Sequence, residues 1–209
     1  METPLDRMMD FDLTPEQRQI RAAVRGFAEK EIQPFVEQYE REARSPTDLI
    51  RKLVPLGYSA PMSPEEYGGS FVDVMTYGVI CEELARIDWV VASVVSVTNS
   101  LLAGSILRYG SEEQKQRWLP AMADGSCLTS ACLTEPDSGT DLGSLRTLAV
   151  KVDGGWRLSG TKVFISHAAH AGLFLVMATV DREKKHRGVT AFLVEPKSEG
   201  IRIGDFPMR

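Results

Sequence analysis

Cysteine is scarce and charge is close to balanced, and each shortage narrows what the chain can be. The three cysteines, Cys81, Cys127 and Cys132, are odd in number and lack metal-ligand spacing. They argue against a disulfide framework and read as small core residues in a reducing compartment. With 29 acidic and 24 basic side chains the net charge is −5, which leaves no electrostatic footprint for nucleic acid. The opening Met1 to Asp12 is polar and acidic, without a basic n-region or an apolar h-region. Neither a secretory signal nor an Arg-rich transit peptide is expected, and a cytoplasmic location is implied. The most apolar stretch, Trp89 to Tyr109, has Arg108 as its one charge but is diluted by Ser93, Ser96, Thr98, Asn99, Ser100 and Ser105. It predicts a buried helix within a bundle rather than a membrane span. Internal repeats and low-complexity segments are also missing. What remains, 209 residues with 43% hydrophobic side chains, suffices for one large domain or two small ones with a core of their own.

The first half carries a helical pattern. Thr14-Pro15-Glu16-Gln17 holds a capping residue, a proline suited to the first helical position, and a glutamine that can return a bond to the cap. Ile20, Val24, Phe27 and Ala28 then share one face, and Pro34 breaks or kinks the run before it continues through Phe35, Val36 and Tyr39. Ser45-Pro46-Thr47-Asp48 starts another helix through Leu49, Ile50 and Leu53, and Pro61 to Gly69 forms a loop. Helical spacing resumes near Val72 and runs to Ile87, followed by the apolar helix from Trp89. Gly110-Ser111-Glu112-Glu113-Gln114 ends that helix and caps the next, which carries Trp118, Leu119 and Met122.

After Gly125 the pattern changes to short β-like runs. They cover Cys127–Leu133, Leu148–Val152, Trp156–Leu158, Val163–Ser166, Leu173–Thr179, Val189–Val194 and Ile201–Ile203, with turn signals such as Asp153-Gly154-Gly155 and Ser159-Gly160 between them. The fold class expected is therefore α+β. An all-α domain over residues 1–125 precedes a β-barrel-like or sandwich-like domain over residues 126–209. Gly204 to Arg209 reads as the start of a further turn and strand.

Two stretches carry candidate chemistry: Leu133-Thr134-Glu135-Pro136-Asp137-Ser138-Gly139-Thr140-Asp141 and Gly160-Thr161-Lys162-Val163-Phe164-Ile165-Ser166. They offer hydroxyls, a proline-braked turn, a glycine that lets a ligand approach the main chain, and an aromatic ring. A flavin needs such surroundings, because its pyrimidine edge presents one donor and two carbonyl acceptors and its faces stack on rings. The ordered combination of Leu-Thr-Glu-Pro-x-x-Gly-Thr-Asp, Leu-Ser-Gly-Thr-Lys and Phe-Ile-Ser closely resembles the acyl-CoA dehydrogenase family. The likeness runs from about Leu13 onward and is most specific in Ser130–Ser166. The Pro-Glu-Glu-Tyr-Gly-Gly segment ending at Gly69 agrees with it.

The resemblance implies an FAD-dependent enzyme in which a carboxylate removes the proton α to an acyl-CoA or acyl-carrier thioester and a β hydride passes to flavin N5. Transferred residue by residue, Ala131 and Leu133 would offer main-chain groups to the flavin edge, and Thr134 its hydroxyl and amide. Gly139 and Thr140 would line the flavin phosphate or the substrate pantetheine. Phe164 would cover a ring face and Ser166 would bond near N5 or O4. Val97, Thr98 and Leu101 would face the acyl chain, with Ser96 and Ser100 leaving room. Phe164 stands where the family often has tryptophan, Ser166 for threonine, Thr140 for serine, Asp137-Ser138 for Gly-Ala, and His167 for asparagine. His167 and His170 read as loop histidines rather than metal ligands, and Glu135, before Pro136, as a structural carboxylate. The family's basic glutamate belongs to a C-terminal helical domain that is not seen here. No catalytic residue is therefore assigned, and the chain alone is expected to be inactive. An electron-transfer flavoprotein or similar acceptor and a homo- or hetero-oligomer are further expectations. A non-catalytic scaffold, an acyl-CoA oxidase and a related monooxygenase remain as alternatives.

Overall fold

The computed structural model describes residues 12–204, so the polar segment before Asp12 and the turn expected after Gly204 lie outside the described residues. Helix α1 (Pro15–Glu31) starts on the anticipated capping box: Gln17 N donates to Thr14 Oγ1 at 3.2 Å and Thr14 N to Gln17 Oε1 at 3.1 Å. Val24 and Ala28 of its inner face are fully buried, with Ile20 and Phe27 packed partly against the same cluster. Pro34 does not prolong α1 but opens α2 (Gln33–Arg41). Helix α3 (Thr47–Arg51) is shorter than expected, because a 3-10 turn holding Pro55 follows and Gly57 turns left-handed at φ 72°. Asp73 caps α4 (Val74–Ala85) by accepting Thr76 N at 2.9 Å, and Asp88 caps the next helix through Val90 N and Val91 N. Beneath α1, Glu83 of α4 is almost wholly buried and bonded by Arg21, Arg25 and Arg86.

The apolar stretch is one rod with a change of pitch inside it. Helix α5 (Trp89–Ser96) passes into a π segment, Val97–Ala103, and on into α6 (Gly104–Tyr109). Gly104 N–H bonds to Asn99 O, five residues back, which is the π spacing. Asn99 fixes that register: its amide donates to Ser59 O and Val95 O and accepts Met62 N at 3.2 Å. By length and composition the rod could cross a bilayer, but half of its apolar window is buried within the chain. Helix α7 (Glu112–Ala123) begins on the predicted Ser111–Gln114 capping box.

Five strands form one mixed sheet: β1 (Thr129–Cys132), β2 (Leu148–Val152), β3 (Gly155–Ser159), β4 (Leu173–Thr179) and β5 (Val189–Val194). Strand β4 is the spine. It pairs parallel with β1 from Leu173 to Val176 and with β2 at Thr179, and antiparallel with β5 from Phe174 to Thr179. Two expected strands do not form. Val163–Ser166 is irregular because Phe164 sits at φ 57° and His167 at φ 61°, where a β ladder cannot continue. Ile201–Ile203 makes no strand pairing among the described residues.

The halves share a core. Leu102, Ala103 and Ile106 of the rod, Leu119 and Met122 of α7, and Cys127, Leu173 and Leu175 on the sheet side pack into one cluster. Thr98 Oγ1 meets Thr129 Oγ1 at 3.1 Å, so the π segment is bonded to β1 at its first residue. Burial pushes the Cys127 and Cys132 thiols up to about 11, which fits buried core cysteines.

Candidate flavin-facing loop pair

The two motif stretches fold against one another beside β1. Val163 N donates to Thr134 O at 2.9 Å, and Ser130 Oγ of β1 donates to Ser166 O at 2.6 Å, so the second stretch is fastened to the first at its middle and to β1 at its end. Between these bonds lies a buried ion pair. Lys162 Nζ is 2.8 Å from Glu135 Oε1 and 2.8 Å from Leu133 O, and Glu135 also accepts the amides of Arg146 at 2.6 Å and Thr147 at 3.0 Å. Burial pushes the Glu135 carboxyl up, but the bonds from Lys162, Thr147 and Arg146 outweigh it and hold the group down at about 2. Glu135 is thus the structural carboxylate that its place before Pro136 predicts.

Sequence reasoning quoted Lys162 but gave it no role. The available signal was a lysine in a motif whose neighbouring stretch holds a carboxylate before a proline. Asp137, a charged residue where the family often has glycine, is paired with Arg146 at 2.8 Å. His167 bonds through Nε2 to Ser45 Oγ at 3.1 Å and lies edge-on to His170. Burial, then the neighbouring His170, pushes its imidazole down to about 4.

Most hydroxyls in this region fall into two groups, Thr147 Oγ1 standing apart as buried but without a partner among the described residues. Ser130, Ser138 and Ser144 are bonded to the fold itself, Ser138 Oγ to Asp141 O at 2.7 Å and Ser144 Oγ to Asp141 O at 2.8 Å. Thr134, Thr140, Thr161 and Ser166 have no hydroxyl bond among the described residues, and all but Thr134 are exposed. Gly139 has open space where a Cβ would stand and no positive φ, so neither packing nor backbone demands a glycine there. Phe164 exposes 78% of its surface from a backbone conformation that costs a non-glycine residue energy. These residues therefore turn outward from one loop pair. Ala131 lies on β1 opposite Leu175, while the Leu133 carbonyl is spent on Lys162 and leaves only its amide for a ligand.

The acyl-facing residues divide differently. Thr98 is 5% exposed and committed to Thr129, which makes it a packing residue. Val97 packs partly into the shared core, and Leu101 is 39% exposed. Ser100 bonds Ser96 O at 2.8 Å and Tyr77 Oη at 2.9 Å.

The family profile described as acyl-CoA dehydrogenase, N-terminal domain, matches residues 14–126, and that for the acyl-CoA dehydrogenase middle domain matches residues 130–208. An acyl-CoA dehydrogenase of Bacillus subtilis is 38% identical over 192 residues, covering 92% of this chain and 51% of the relative. A solved chain from work on the electron transferring flavoprotein of Acidaminococcus fermentans superposes with a TM-score of 0.88 at 36% identity, covering 94% of this chain and 52% of that one. A glutaryl-CoA dehydrogenase of Mycobacterium smegmatis, solved with FADH2, gives 0.84 at 36% identity over 90% of this chain and 47% of its own. The chain thus spans about half the length of the curated relatives it matches. Two family profiles that divide the sequence between them, over a helical half and a sheet half of matching shape, place this chain in the acyl-CoA dehydrogenase family.

Proposed function

We propose that this chain supplies the FAD-facing and thioester-facing portion of an acyl-CoA dehydrogenase, which introduces an α,β double bond into an acyl thioester. The observation that carries the reading is the division of hydroxyls. Ser130, Ser138 and Ser144 are bonded inward, and Thr134, Thr140 and Ser166, without a hydroxyl bond among the described residues, are left for something outside the chain. Their donor and acceptor chemistry fits a pyrimidine edge, and the Phe164 ring fits a flat aromatic face. When bound, FAD would supply the acceptor for the hydride leaving the β carbon. The chain's part is to hold and orient: Thr134 and Ser166 bond the ring edge, Phe164 excludes water from one face, and Gly139 lets the main chain come close.

Proton removal is not assigned to this loop pair. Glu135 is buried and spent on Lys162, Arg146 and Thr147, Asp137 pairs with Arg146, and Asp141 accepts Gly143 N at 2.9 Å. The base comes, in this reading, from a helical segment that completes the site, and electrons leave through an electron-transfer flavoprotein or similar acceptor. Anaerobic titration of the purified chain with FAD tests the proposal. We expect a shift in the visible flavin spectrum, weakened about two- to tenfold by Thr134→Val or Ser166→Ala, the worth of one net hydrogen bond. Adding an acyl-CoA should leave the flavin colour unbleached until a glutamate-bearing helical half is supplied. No spectral change, with or without that half, would favour a scaffold over an enzyme.

A further inference from the structure

Between Gly160 and Gly172 the chain lies outside every strand, so the shape of this loop rests on a few side-chain and turn contacts. Phe164 and His167 take left-handed backbone at φ 57° and 61° and bracket Ile165 and Ser166. Serine carries no second branch on Cβ to restrict χ1, so the placing of the Ser166 hydroxyl falls to the main chain that bears it. That main chain is held from the β1 side, by Val163 N to Thr134 O and by Ser130 Oγ to Ser166 O. The residue after Ser166 is held from elsewhere. His167 Nε2 meets Ser45 Oγ at 3.1 Å, and Ser45 belongs to the connection between α2 and α3, 122 residues away in the helical half.

This bond has a direction. Thr47 Oγ1 donates to Ser45 Oγ at 3.3 Å, which leaves the Ser45 proton for the imidazole, so Nε2 accepts and the ring proton sits on Nδ1. Burial, with His170 edge-on beside it, holds the half-buried ring down at about 4, so it is neutral at pH 7 and can accept. Asparagine suits a left-handed backbone, but its amide ends nearer the main chain than Nε2 does. The imidazole supplies the reach to Ser45.

We propose that His167 is a positioning residue for the flavin: tied to Ser45, it sets the angle at which the loop offers the Ser166 hydroxyl and the Phe164 ring to the isoalloxazine. The inference rests on the reading given under Proposed function and adds to it a residue that acts through its neighbours. Ser45 and Thr47 bear on the flavin through His167, so the helical half helps to shape the ring site from the α2–α3 connection.

Ser45→Ala removes the far partner and leaves the loop's own residues in place. In visible titration of the purified chain it should weaken FAD binding by about two- to tenfold, the worth of one net hydrogen bond, and Ser45→Thr, which keeps the hydroxyl, should restore it. His167→Asn should weaken FAD binding as much. Because the effect passes through the loop, Ser45→Ala should cost less in a Ser166→Ala background than in the wild type, and strictly additive losses would refute that route. Imidazole nitrogen NMR of the chain without flavin reads the bond itself. The chain has three histidines, and His167 should show the Nδ1-protonated tautomer, lost in Ser45→Ala. A tautomer indifferent to Ser45→Ala would overturn the assignment. So would a lowered melting temperature with FAD affinity and spectrum unchanged, which would make His167 a structural tie. If the wild-type chain takes up no FAD, the flavin reading falls and this inference with it. FAD uptake that ignores both Ser45→Ala and His167→Asn overturns this inference alone.

Discussion

Replacing Lys162 by methionine should cost about 3 kcal/mol of stability, and two independent routes lead to that figure. Glu135 is 5% exposed and its carboxyl is held at about 2 against an ordinary value of 4.5; at about 1.4 kcal/mol per tenfold in proton affinity this is worth about 3 kcal/mol. Removing one member of a buried pair and stranding the other costs about 3–5 kcal/mol by a separate body of measurement. The first figure includes the Arg146 and Thr147 amides, which the substitution leaves in place, so the lower end applies. For a chain of this size the melting temperature should fall by roughly 6–12 °C. The sign of the pH dependence also follows. A depressed carboxyl contributes its full stability above 4.5 and loses it as pH falls towards about 2, so the wild-type chain has an acid limb in that window. Lys162→Met should shorten the limb from below, because the Glu135 pKa rises when its cation is gone. A double variant, Glu135→Gln with Lys162→Met, strands no charge and should recover much of the loss. Urea titrations at pH 7 and pH 4 on the wild type, Glu135→Gln, Lys162→Met and the double variant measure the cycle. A loss below about 1 kcal/mol with an unchanged acid limb would refute the clamp.

Three further substitutions test separate parts of the argument. Glu83→Gln removes the carboxylate that Arg21, Arg25 and Arg86 share and should cost about 2 kcal/mol, the worth of charge-assisted bonds to partly exposed arginines, read from urea midpoints. Phe164→Gly should move two readouts in opposite directions: thermal stability holds or rises by about 1 kcal/mol as the φ 57° strain is relieved, while FAD affinity falls; a fall in both would make the ring a packing residue. His167 is held down at about 4, so it disfavours the folded state as pH drops from 6.5 towards 4, and His167→Asn, which tolerates φ 61°, should flatten stability in that window.

How much of this was legible in the sequence depends on how local the signal is. The capping boxes at Thr14 and Ser111 are four-residue patterns whose partners are neighbours, and both formed as read. Strands β2 to β5 follow short β-like runs bounded by turn signals, which are also local. Val163–Ser166 misled because Val, Phe and Ile favour strands, whereas its conformation is set by distant groups: Thr134 O, Ser130 Oγ and the Glu135–Lys162 pair. The π segment was hidden for the same reason. Nothing between Val97 and Ala103 announces an altered pitch, and the change is held by Asn99 reaching Ser59 and Met62, roughly forty residues away in the chain.

The same distinction explains which site residues the sequence could give. Thr134, Gly139, Thr140 and Ser166 were found as a motif, and they are residues the fold does not need: their hydroxyls are unbonded within the described chain and the glycine has room for a side chain. Thr98 looked equally suited to a ligand, yet its hydroxyl is taken by Thr129, so the sequence alone could not separate the two kinds of threonine. A hydroxyl with no internal partner costs the fold little to lose, whereas an internally bonded one costs about 1 kcal/mol or more. Stability measurements on Thr98→Val and Thr134→Val therefore sort packing residues from ligand-facing ones before any flavin is added. The first should destabilise and the second should not. If Thr134→Val were as damaging as Thr98→Val, the loop pair would be part of the core and its outward-facing hydroxyls would carry no functional argument.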